Sequence, residues 1–183
     1  MAGKKGRQTV RDMVLSLAVI GVAVAVMYAF IPHDDSAKAE RAAVQRVSYR
    51  VELATARRAA PYAVAAPVGL PHAWRATSVS YKATPDGKGG AWHLGFLDPH
   101  DQYAAVEQSD AEPADFVHEV TLNAHRTKGS QQVDGDRWVR YEGAKYRALV
   151  REQPGVTTVL TGTASYSELG RLAGALQAKR EKV

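Results

Sequence analysis

From Met13 to Ile31 the chain runs nineteen residues without a charged side chain, and such a segment has few places to go. Rising about 1.5 Å per residue, a helix of that length measures about 28 Å, close to the roughly 30 Å hydrocarbon core of a bilayer. A buried core helix ordinarily keeps a polar face, yet only Ser16, Gly21 and Tyr28 interrupt this one. The segment therefore predicts a membrane span. Lys4, Lys5, Arg7 and Arg11 precede it; positive charge beside a span marks the cytoplasmic side and attracts anionic lipid headgroups. Residues 1–12 are thus expected to form a basic cytoplasmic tail, and everything beyond residue 31 to lie outside the cytosol. A cleaved signal peptide is the rival reading, because Ala37-Lys38-Ala39 has the small-x-small form of a cleavage site. The apolar run is longer than an ordinary signal core, and Asp34 and Asp35 intervene, so a retained single-pass anchor is favoured.

The span leaves enough chain for one ordinary domain. The formal charge of +5 suggests a nucleic-acid partner until it is divided: residues 1–12 alone carry +3. The remainder is nearly balanced, with both signs interspersed, whereas counterion release needs a concentrated basic surface. No nucleic-acid binding is expected. There is no cysteine, which removes disulfides, thiolate zinc sites and iron–sulfur clusters together.

Residues 32–46 are polar and Ala-rich and predict a juxtamembrane linker. Val47, Tyr49 and Val51 alternate with polar residues, suggesting a short strand, and 52–60 suggests a short helix ended by Pro61. Strands are expected over 74–84, 91–97 and 102–109, with turns at 85–90 and at Asp98-Pro99-His100-Asp101. Pro113 opens a helix whose apolar face is Phe116, Val117, Val120 and Ala124. The second half repeats the course: a strand in either 131–133 or 137–141, strands over 145–151 and 156–162, then a helix. Ser165 and Glu168 stand at capping-box spacing before the stripe of Tyr166, Leu169, Leu172, Ala173 and Leu176. Both halves read strand, strand, strand, helix, which suggests an internal duplication. Alternating strands need a cover for their apolar face. The expected fold class is α+β: a mostly antiparallel sheet covered by two or three helices over 47–178, preceded by one transmembrane helix and followed by a charged tail over 179–183.

Reactive constellations are hard to find. His118-Glu119 begins like a zinc-protease helix, but Leu122 stands where the second imidazole must be. His93 and His100, and His118 and His125, are expected as structural or surface residues. Asp98, Asp101, Asp134 and Asp136 lack the spacing of a calcium loop and read as turn formers. There is no G-x-S-x-G elbow, and Gly87-Lys88-Gly89-Gly90 lacks the flanking residues of a phosphate loop. No enzyme, metal or cofactor is expected. Catalysis would require the fold to join a histidine to a carboxylate in a cleft.

A combination of motifs carries a resemblance. The basic tail and span, LPHAWRATS (70–78), WHLGF (92–96), QYAAVEQSD (102–110), RW (137–138), ALVR (148–151), TVLTGTAS (158–165) and LAGAL (172–176) resemble the actinobacterial domain of unknown function 4245 family. The resemblance implies a small membrane-anchored protein without an assigned activity, and it has no functional residues to carry over. The sheet-with-helices plan also resembles PsbP- and Mog1-like domains, an analogy that cannot transfer function.

The expected function is a non-catalytic protein-interaction module of the cell envelope, held at the cell membrane and meeting an unidentified envelope protein. The alternative is a small-molecule or lipid carrier with an apolar pocket between sheet and helix. Its candidate lining, and equally a candidate partner surface, is Trp74, Trp92, Phe96, Tyr103 and Trp138.

Overall fold

The structure, a computed structural model, describes residues 46–87 and 89–181 and, upstream, residues 13–15, 17 and 20. The chain divides into two units, Met1–Val44 and Gln45–Val183. The five described residues of the first are helical. The expected tail over 1–12, the rest of the expected span and the linker up to residue 45 lie outside the described residues. Among the described residues, no helix is long and apolar enough to cross a membrane.

In the second unit the chain enters through irregular residues 46–49 and forms α1 (Arg50–Ala59). The short strand expected over Val47–Val51 is absent, and Val51 sits exposed on the helix. A three-point alternation is too short to outweigh the unbroken helix-compatible run from Arg50, whose last-turn Arg57 and Arg58 suit the helix C-terminus. After Pro61 come β1 (Val64–Pro67), β2 (Arg75–Ala83), β3 (Gly90–Leu97) and β4 (Tyr103–Ser109). Next are α2 (Pro113–Val120), β5 (His125–Val133), β6 (Asp136–Glu142), β7 (Arg147–Gln153) and β8 (Val156–Gly162). The last elements are α3 (Tyr166–Ala175) and β9 (Leu176–Lys179).

Seven strands make one antiparallel sheet in the order β2-β3-β4-β8-β7-β6-β5, while β1 and β9 pair antiparallel in a second, two-stranded sheet. The fold is α+β and mostly antiparallel. Its first face carries Trp92, Leu94, Phe96, Val106, Leu149 and Leu160, packed with Leu169 and Leu172 of α3, Ala56 of α1 and Val64 of β1. Full burial of each large apolar side chain contributes about 1.5–3 kcal/mol, so this layer is the main source of stability. β1 is stitched to the sheet by polar contacts. The Ala65 N–H donates to Gln108 Oε1 at 2.7 Å, and Trp92 Nε1 donates to the Ala65 carbonyl at 3.0 Å.

The second face carries the intervening residues, and α2 covers part of it, setting Phe116 and Val117 on Ala148, Val150 and Val159. This helix stops at Val120, so Ala124 falls outside it. Thr121 Oγ1 donates to the Val117 carbonyl at 2.6 Å, and Leu122 and Asn123 turn left-handed with φ of 56° and 68°.

The duplication fails. Four strands precede the helix in each half, β1 to β4 and β5 to β8, but β1 pairs with β9 outside the seven-stranded sheet whereas β5 is an edge strand of it; both alternatives offered for the second half's first strand are strands. Moreover α2 and α3 pack on opposite faces, whereas a two-fold normal to the sheet would place both on one face. At the other end Leu176, expected in the last helix, instead begins β9.

Candidate functional site

Because α2 is one short helix, it leaves the β2–β4 side of the second face partly open. The cleft between them has a volume of about 570 Å³ and is lined by Ser80, Lys82, His93, Glu107, Phe116 and Glu119, among others. Antiparallel register brings its polar floor together, since Ser80 faces His93 across β2–β3 and His93 faces Glu107 across β3–β4. His93 Nδ1 lies 2.6 Å from Glu107 Oε1, and His93 Nε2 lies 2.7 Å from Ser78 Oγ. Burial raises the Glu107 carboxyl above the usual carboxylate range; the contact with His93 opposes this and the nearby Glu119 adds to it. Ser78 also hydrogen-bonds the Tyr103 hydroxyl, whose own ionisation burial pushes well up. Gly95 makes the cluster possible, because a Cβ there would strike Ser78 Oγ and crowd the Tyr103 ring.

The cleft thus does join a histidine to a carboxylate, the arrangement that catalysis would require, although spacing alone reads His93 as a structural or surface residue. Period-two alternation puts Ser78, His93 and Glu107 each on a definite face of its strand, but only the pairing register makes that face common to all three.

On the first face a different concavity forms where residues 46–49 pass the turn between β1 and β2. A pocket of about 210 Å³ is walled by Tyr49, Leu70, Trp74 and Phe96, with Arg46 and His72 also lining it. Trp74 and Tyr49 each meet the Phe96 ring edge-on, at 6.2 and 6.1 Å between centroids. An adjoining pocket of about 500 Å³ shares Val47, Tyr49 and Pro67 with it and is further lined by Arg50, Leu53, Arg57, Val68 and Lys179.

The five aromatic residues singled out from sequence do not converge on one cavity. Trp74 and Phe96 meet in the smaller pocket. Trp92 and Trp138 are fully enclosed core residues, the latter under the Arg151 guanidinium at 4.8 Å from its ring. Tyr103 lies on the second face with its ring 5.9 Å from that of Tyr146. Asp98 forms its turn as expected, its Oδ1 accepting from the backbone N–H of His100 at 2.7 Å and of Gln102 at 2.9 Å, and Asp134 also lies in a turn, but Asp136 instead begins β6 and pairs with Arg151. Among the described residues, no cluster of three or more His, Asp or Glu is placed to hold a metal ion.

The fold and its concavities define a class: an α+β domain built on a seven-stranded antiparallel sheet whose second face is half covered. The family model described as "Protein of unknown function (DUF4245)" matches residues 5–176, and the chain belongs to that family. No curated protein is a match for it. Among solved structures it is similar to a chain in the complex of Pseudomonas aeruginosa MucA and MucB, with 12% identity and a TM-score of 0.37. That alignment covers 64% of this chain and 35% of the other, so the chain spans about a third of the solved chain's length.

Proposed function

We propose that this protein is a single-pass membrane protein whose C-terminal domain stands outside the cytosol and acts as a non-catalytic interaction module of the cell envelope. The placement in the membrane is supported by the described residues of the apolar run. Met13, Val14, Leu15, Leu17 and Ile20 are helical and exposed. Three of them are consecutive, so apolar side chains emerge around the helix and not along one stripe, as lipid contact requires. The plan's likeness to PsbP- and Mog1-like domains belongs to this reading as an architectural analogy only.

The observation that carries the interaction reading is the half-open second face. Its cleft sets an apolar wall, Phe116 and Val120, beside the charged Lys82, Asp115 and Glu119, offering both apolar contact and charge complementarity to another polypeptide. The Ser78–His93–Glu107 chain has the order of a hydrolytic triad. Yet Ser78 is not among the residues lining the cleft, and its hydroxyl is engaged by both His93 and Tyr103. That favours a positioning role for the chain, holding His93 fixed in the cleft floor.

A photo-crosslinking amino acid at Lys82 of the full chain in native membranes is expected to yield a reproducible protein adduct. The same group at Arg171, exposed on α3, should not. Equal yields at the two positions would overturn the interaction reading. A fluorophosphonate probe should leave Ser78 unlabelled; stoichiometric labelling abolished by Ser78→Ala would overturn the non-catalytic one.

A second reading, a carrier of a small molecule or lipid, is favoured by one specific observation. Trp74 and Phe96 meet in an open pocket that adjoins a larger one.

A further inference from the structure

The larger of the two adjoining pockets has a lining that the interaction reading does not use. Arg50 and Arg57 reach it from α1 and Lys179 from the far end of β9, and no Asp or Glu lines it. These three cations make no ion pair among the described residues, although the neighbouring Arg58 pairs with Glu181. Arg57 Nε is in addition buried without a hydrogen-bond partner. The remaining wall is mostly apolar: Val47, Leu53, Ala66, Pro67 and Val68, with Ser48 and Tyr49 beside them. Val68 is exposed, and Val47 and Pro67 continue into the smaller pocket, where Leu70, Trp74 and Phe96 extend the apolar surface.

Unpaired cations gathered around a pocket without acids attract an anion, and a guanidinium pair suits phosphate oxygens in particular. An apolar wall directly beside them rewards a ligand that carries hydrocarbon next to its charge. We propose that the two pockets form a binding site for an anionic amphiphile. A phosphate head would sit among Arg50, Arg57 and Lys179, with an apolar chain lying over Val47 and Pro67 towards Leu70 and Trp74. This rests on the carrier reading and names its ligand class; it does not depend on the cleft on the opposite face of the sheet.

The same phosphate chemistry is offered by a lipid headgroup and by a free phosphate, and the test separates them. The full chain, held in zwitterionic phosphatidylcholine nanodiscs, is titrated with three water-soluble probes while tryptophan fluorescence is read. The probes are dihexanoyl phosphatidic acid, dihexanoyl phosphatidylcholine and inorganic phosphate. Saturable binding is expected for phosphatidic acid, with the other two weaker by about tenfold or more. Arg50 and Lys179 are both exposed, so Arg50→Gln with Lys179→Gln should preserve the fold. That variant should bind phosphatidic acid about tenfold or more weakly while leaving the phosphatidylcholine analogue unchanged. Leu70→Asp should weaken both amphiphiles.

Equal affinity for the two amphiphiles, unaffected by the Arg50/Lys179 pair, would overturn the anionic head site and leave the carrier reading standing. Binding of inorganic phosphate as tight as that of phosphatidic acid would overturn the amphiphile and leave a free-anion site. Absence of binding by any probe would overturn both this proposal and the carrier reading.

Discussion

Gly95 shows how much of this domain is decided by single side chains. It lies on β3 opposite Ser78, and the space where its Cβ would be is taken by the Ser78 hydroxyl and the Tyr103 ring. Gly95→Ala should therefore cost about 1–3 kcal/mol by overpacking, and Ser78→Ala in the same chain should recover part of the loss; thermal unfolding of the two variants checks this. Glu107 sets a pH dependence whose sign can be worked out. Burial holds its carboxyl above the ordinary range in the folded domain. The folded state thus binds a proton more readily than the unfolded chain. The stability this supplies is complete below the unfolded value and fades as pH rises through the folded one. Wild type should lose urea resistance from this source as pH rises above the ordinary carboxylate range, and Glu107→Gln should flatten the trend. A steeper loss in the variant would contradict it. Neither residue announces its role in the sequence. Gly95 reads as an ordinary strand glycine until the register sets Ser78 beside it.

Elements were legible where local chemistry is strong. The hairpin strands β2 and β3, the strand β4, the proline-started α2 and the strands β7 and β8 follow from alternation between turn residues. The cap of α3 was also legible in part: Ser165 Oγ accepts the Glu168 backbone N–H at 3.2 Å, but the Glu168 carboxylate does not reach back and lies 3.4 Å from Arg171. Ser165→Ala should cost about 1 kcal/mol, lowering the unfolding temperature by roughly 4 °C. Illegible were the features that depend on distant partners. β5 has no apolar side chain before its final Val133, His-Arg-Thr-Lys-Gly-Ser-Gln-Gln-Val, and is a strand because its hairpin neighbour β6 pairs with it. The Asp134-Gly135 turn between them, with φ of 49° and 85°, fits the left-handed geometry that two-residue hairpins need. Likewise β9 carries one apolar residue worth burying and exists because β1 is there to receive it.

For the molecule as a whole, the unexpected fact is where the candidate sites came from. The aromatic residues were visible one by one, but Trp92 and Trp138 went to the core, while Trp74 and Phe96 reached a pocket. The cations of the adjoining pocket belong to the two ends of the domain, Arg50 and Arg57 near its start and Lys179 near its finish. No local pattern links them; the pairing of β1 with β9 does, Val64 opposite Lys179 and Pro67 opposite Leu176. Ending the chain at Ala175 should consequently lower the unfolding temperature, speed amide exchange over residues 64–67 and disperse the cationic pocket. Hydrogen exchange by mass spectrometry reads the first two directly. Unchanged protection of residues 64–67 in the truncated chain would show that β9 holds nothing in place.

That same ladder has a temporal side. Synthesis runs from the first strand to the ninth, so β1 emerges early and can find its lateral partner only after residues 176–179 have been made. Until then the side-chain bonds of that stretch are those of Ala65, whose N–H donates to Gln108 Oε1 and whose carbonyl accepts from Trp92 Nε1. A ribosome stalled short of residue 176 would release a chain with an open edge, recognisable to proteases and chaperones as unfinished. The last few residues to join thus act as a seal on the domain, and quality control could read the state of that seal without inspecting anything else.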